Sequence, residues 1–73
     1  MKNIKKLLGN RIKAIRRKRK MSQEALAFES ELHRTYISDI ERGTRNPSML
    51  IVMHLAQALS LDPREFVSLM MDA

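Results

Sequence analysis

Four side chains in one short stretch can make directional hydrogen bonds from a shared surface. In Arg34-Thr35-Tyr36-Ile37-Ser38-Asp39-Ile40-Glu41-Arg42, a helical repeat turns Ile37 and Ile40 inward and Arg34, Thr35, Ser38 and Asp39 to the opposite face. Arginine can form paired bonds to guanine O6 and N7, worth about 1–3 kcal/mol of discrimination per good pair. A threonine can touch a thymine methyl or bond a base edge. A short helix with one apolar edge and such a face suits a reader of the DNA major groove. Asp39 is the exception. Phosphates repel it, so it either accepts from cytosine N4 or sits just off the contact surface, and the second placement is expected.

These residues need elements to hold them. The 73-residue chain is long enough for one small domain, 1–73, with a marginal core. It reads as all-α, with five helices and no strand. The first helix covers about 3–19, with Leu8, Ile12 and Ile15 as an apolar stripe among Lys and Arg. Ser22 caps a second helix, with Glu24 in its first turn and Leu26 and Ala27 facing inward. A third begins near His33 or Arg34 and stops at Gly43, so the two-helix unit spans about 22–42. Ser48 caps a fourth helix running to about Leu59, with Val52, Leu55, Ala56 and Leu59 inward. Asp62, Pro63 and Glu65 carry the cap signals of a fifth, about 63–71. Phe66, Leu69 and Met70 supply its apolar face.

Charge is unevenly placed. Residues 1–20 hold ten Lys or Arg and no Asp or Glu; residues 21–73 hold four against eight. A cationic element on a mildly anionic body points to a polyanion on one side. A solvated basic helix with no specific partner would show the same pattern. The cluster Arg16 to Lys20 also suits the end of a helix, where cations favour the macrodipole. There is no cysteine, and His33 and His54 have no neighbours at metal-ligand spacing, so no metal site or cofactor is expected. No apolar run approaches membrane-spanning length, and the positively charged start lacks the apolar region of a signal peptide. A cytoplasmic location fits these features. No nucleophile–base–orienter set is present and no enzyme is expected.

Segments 22–30 and 33–42, joined by Glu31-Leu32, resemble the helix-turn-helix of the Cro/lambda-repressor-like (XRE) family. The resemblance covers about residues 8–66. It is carried by Leu8-Gly9, Arg11-Ile12, Arg16, Ser22-Gln23-Glu24, Leu26-Ala27, Tyr36-Ile37-Ser38, Ile40-Glu41-Arg42-Gly43, Asn46-Pro47-Ser48, Leu55-Ala56 and Ala58-Leu59. Within that family, Leu32 to Ser38 followed by Glu41-Arg42 and Arg45-Asn46 look most like the restriction–modification controller proteins. Two positions depart from the pattern. Glu31 stands where the family usually has glycine between helices two and three, and Ser60 where glycine often follows helix four. Left-handed backbone at either would carry strain of order 1–2 kcal/mol.

The resemblance implies a five-helix lambda-repressor-like domain that binds operator DNA as a homodimer on an inverted repeat. Arg34, Thr35, Ser38 and Arg45 would read bases. Ser22, Gln23, Tyr36, Arg42 and Asn46 would hold phosphates. Arg34 could instead meet a phosphate, and the Tyr36 ring could pack rather than bind. His33 could cap its helix or meet a phosphate. Arg16 and Glu41 would form a buried ion pair between helices one and three. Phe66, Leu69 and Met70 would serve dimerisation, and Phe28 would be a lone exposed ring or part of a contact. RNA polymerase is a candidate second partner. The competing readings are a phage or plasmid repressor and an antitoxin-type interaction module. Membrane-surface binding through the first helix is weakened by its lack of aromatic residues.

Overall fold

Each described helix begins at a polar side chain that accepts from a free backbone N–H. The computed structural model describes residues 3–62, 64, 65 and 68. α1 (Ile4–Lys18) is capped by Asn3, α2 (Gln23–Ser30) by Ser22, α3 (Arg34–Arg42) by His33 and α4 (Met49–Ala58) by Ser48. The Ser22 and Ser48 hydroxyls accept from Ala25 and Ile51 N–H at 3.0 and 3.3 Å. His33 Nδ1 accepts from Thr35 N–H at 3.2 Å, so His33 caps α3. Nδ1 must be unprotonated for that bond.

The helix ends share one device. After α1, α2, α3 and α4 the chain enters the left-handed region at Lys20, Glu31, Gly43 and Ser60. At each, the following N–H reaches back five residues: Met21 to Arg16, Leu32 to Ala27, Thr44 to Asp39 and Leu61 to Ala56, at 2.7–3.0 Å. This is the Schellman arrangement, which satisfies terminal carbonyls and turns the next residue back toward its own helix. Met21, Leu32 and Leu61 are the residues so turned, and all three pack against the core. Apolar anchoring and two recovered hydrogen bonds thus offset the strain at three non-glycine positions. Glu31 also sets a carboxylate at the negative end of α2, which is unfavourable.

Glu31→Gly is therefore expected to stabilise the domain by roughly 0.5–1 kcal/mol, the relieved strain less the added freedom of the unfolded chain. Thermal unfolding should rise by about 2–8 °C for a domain of this size. A lowered midpoint would show that Glu31 makes a compensating contact.

The core is formed by Leu8 and Ile12 of α1, Leu26 and Ala27 of α2, Ile37 and Ile40 of α3, and Val52, Leu55, Ala56 and Leu59 of the α4 segment. Ile15, expected in the inner stripe, is only half-buried beside them. α1 and α3 meet closely enough that a Cβ on Gly9 would lie 2.2 Å from the Ile40 carbonyl oxygen. No side chain fits at that crossing. Gly43 serves twice, through its positive φ and because a Cβ there would meet the Lys6 backbone at 2.9 Å.

The described helices number four, not the five expected. Asp62 does act as the cap acceptor expected of it. Asp62 Oδ1 accepts from Arg64 N–H at 2.9 Å, and Arg64, Glu65 and Ser68 are helical. Side-chain hydrogen bonds from Arg64 hold the Asp62 carboxyl below its ordinary range. Phe66, Leu69 and Met70, on which sequence places dimerisation, lie outside the described residues.

Candidate nucleic-acid interface

The inner end of the interface is an ion pair. Arg16 and Glu41 are 7% and 6% exposed. Arg16 Nε donates to Glu41 Oε2 at 2.6 Å and Nη2 to Oε1 at 3.0 Å, a bidentate clasp between α1 and α3. The third nitrogen, Nη1, donates to the Met21 carbonyl at 2.8 Å. Gln23 Nε2 adds a bond to Glu41 Oε1 at 3.1 Å. One carboxylate thus fixes α3 against both α1 and the first turn of α2. Glu41 faces inward, as its proposed pairing with Arg16 requires.

That clasp sets the outer surface. Gln23, Arg34, Thr35, Ser38 and Arg42 line one shallow depression where the start of α2 meets the polar face of α3. Four of the five come from α3 at helical spacing. Arg34 and Thr35 are exposed, and Arg34 Nε lies 3.9 Å from a Glu24 carboxylate that is itself largely in solvent. A pair this open contributes little and leaves the guanidinium free to swing. Ser22 spends a lone pair on its cap, and its O–H remains able to donate. Gln23, expected from sequence to hold a phosphate, also gives one of its N–H groups to Glu41. Its remaining amide donor stays available.

The second cluster joins the later part of α3 to the loop that follows it. Asp39 pairs with Arg42 through Oδ1 and with Arg45 Nη2 through Oδ2 at 3.2 Å. The Arg45 guanidinium stacks over the Tyr36 ring, 4.4 Å from its centre, a favourable cation–π geometry. Arg42 Nη1 also donates to Ser38 Oγ at 3.3 Å. Arg45 and Tyr36, separately assigned to bases and phosphate, are therefore one unit. Asn46 is exposed next to them. Sequence reasoning placed Asp39 off the interface and missed that it organises the arginines around it; the Asp39–Arg42 spacing of three was the available signal.

A further surface was also missed. α4 is apolar on several sides and carries no charged residue, and Met49, Leu50 and Met53 are about half exposed or more. Leu50 and Met53 share a groove with His54, Gln57 and Leu61. Phe28, on the outer side of α2, is 83% exposed. No described helix is long and apolar enough to cross a membrane.

Four helices among the described residues, with an exposed polar face on the second of a tightly joined pair, define a helix-turn-helix domain, and the helix-turn-helix family matches residues 12–66. Control protein C.BamHI of Bacillus amyloliquefaciens is 52% identical over 66 residues, covering 89% of this chain and 82% of that protein. The crystal structure of the restriction–modification controller protein C.AhdI from Aeromonas hydrophila superimposes with a TM-score of 0.83 at 42% identity, covering 85% of this chain and 94% of that one. A C.Esp1396I tetramer in complex with its natural 35 base-pair operator gives 0.84 at 32% identity, covering 99% and 95%. The chain belongs to the helix-turn-helix family and, within it, to the restriction–modification controller proteins.

Proposed function

We propose that this chain, as a single domain without catalytic activity, binds an inverted-repeat operator as a homodimer and regulates a restriction–modification operon in the cytoplasm. The observation that carries the reading is the convergence of Gln23 with Arg34, Thr35, Ser38 and Arg42 on one exposed surface, held by an inward-facing Glu41. Arg34, Thr35, Ser38 and Arg45 read bases. Ser22, Gln23, Tyr36, Arg42 and Asn46 hold the flanking phosphates. The ten cations of residues 1–20, apart from buried Arg16, add long-range attraction.

The uncharged α4 surface around Leu50 and Met53 serves self-association, together with Phe66, Leu69 and Met70. Two copies, each carrying a net charge of +6, repel one another least where neither presents a charge. Pairing would set two copies of α3 about 34 Å apart, one turn of the duplex. The position of the operator relative to the promoter then decides activation or repression, with RNA polymerase as the second partner of a bound activator.

Titrating a duplex at several salt concentrations tests the binding mode. With about 6–10 phosphate contacts, affinity should fall about 10³–10⁵-fold between 50 and 200 mM salt. A nearly flat response would contradict an interface built on these arginines.

A further inference from the structure

Asp39 is the acidic side chain that holds two arginines of the DNA-facing surface at once, and a binding surface for phosphates gains nothing from it by simple attraction. Its carboxylate grips Arg42 with one oxygen and Arg45 with the other. The Asp39 side chain is 18% exposed, against 63% for Arg42 and 46% for Arg45. The anion thus lies beneath the cations it holds. Tyr36 closes over the other face of Arg45, and Ser38 takes a second bond from Arg42. Both guanidiniums are occupied by an anion within the protein.

We infer that Asp39 is a specificity-determining positioning residue whose carboxylate stands in for phosphate on Arg42 and keeps Arg45, the base reader, from grasping phosphates of non-operator DNA. This rests on the operator-binding reading above. A partly exposed carboxylate–arginine pair is weak, so exchange for a phosphate is easy when the duplex is seated. Exchange on a mismatched duplex gains less, because the base contacts of Arg34 and Thr35 are not there to bring the backbone close. Asp39 also repels any phosphate that approaches without displacing it. The effect falls mainly on non-specific binding and so widens the gap between operator and other DNA.

The loop itself does not depend on the carboxylate. Thr44 binds the Asp39 backbone carbonyl through both N–H and Oγ1, at 3.0 and 3.1 Å. Asp39→Asn removes the charge while leaving that scaffold, so the full chain should fold as before.

The experiment measures binding of the wild-type chain and of Asp39→Asn to two duplexes, one selected by the wild type and one scrambled, across salt concentrations. Scrambled-duplex binding should tighten about tenfold, and its log–log salt slope should steepen by about 1–2, one step of about 0.9 per released arginine. The ratio of selected to scrambled affinity should fall about tenfold, and Asp39→Glu should restore most of it. Thermal unfolding of each variant checks the fold. If the two duplexes shift together, or the scrambled slope is unchanged, Asp39 has only a structural role and the inference fails while operator binding stands. A wild-type chain that cannot tell the duplexes apart overturns the operator-binding reading and this inference with it.

Discussion

Arg16→Ala should cost about 3–5 kcal/mol of stability, because it leaves Glu41 charged, buried and without its main partner. A domain of this length has roughly 4–11 kcal/mol in total, so the loss takes a large share. The effect should exceed that of deleting an exposed arginine such as Arg34, whose ion pair is open to water and worth about 0–1 kcal/mol. Three contacts are lost together: two bonds to Glu41 and one to the Met21 carbonyl. Glu41→Ala should cost a similar amount and also release Gln23. Denaturant titration of both single variants and of an Arg16→Met, Glu41→Leu double variant checks the account. The double variant should cost less than the two single losses added. Additive losses, or an Arg16→Ala cost below about 1 kcal/mol, would show that the pair is not coupled in its buried setting.

The pair also joins stability to reading. Glu41 lies on the same short helix as Arg34 and Thr35, so its clasp to Arg16 sets the angle at which that helix leaves the body. The bond from Gln23 brings the first turn of α2 into the same constraint. Arg16 thus positions, from a buried site, the helix that carries Arg34 and Thr35.

What sequence made legible followed from local rules. Ser22 and Ser48 cap the helices assigned to them, and helical spacing placed Ile37, Ile40, Val52, Leu55 and Leu59 in the core. The Arg16–Glu41 pair came from family resemblance, since a separation of 25 positions leaves no periodic trace. Helix ends were harder. Glu31 and Ser60 stood out only as missing glycines, and Lys20 did not stand out at all. Each is held left-handed by the burial of the residue after it, Leu32, Leu61 and Met21. That is a tertiary effect, and propensity cannot register it. The arginine contacts of Asp39 were hidden for a related reason. Its charge was weighed against DNA alone, without the two arginines that neutralise it. The exposed side of α4 was hidden by its composition, because a helix apolar on several sides does not reveal which side the body leaves uncovered.

Arg34→Ala combined with Thr35→Ala should remove sequence preference while leaving the fold and the dimer intact. Both positions are exposed, and alanine is a better helix former than either residue. The backbone N–H of residue 35 keeps its bond to His33. If Arg34 makes a bidentate guanine contact in each half-site, the dimer loses about 2–6 kcal/mol of discrimination, twice the value of one good pair. General attraction to DNA should persist through the first helix and Arg42. The two effects are separable because phosphate contacts position the protein and base contacts specify the site.

Selection of bound duplexes from a random library, run with the wild-type chain and this double variant side by side, tests the central claim most directly. The wild type should enrich two half-sites in inverted repeat, centred about one helical turn apart, and the variant should enrich no consensus. Enrichment of the same sequence by both proteins, or of none by the wild type, would contradict the assignment of α3 as the reader.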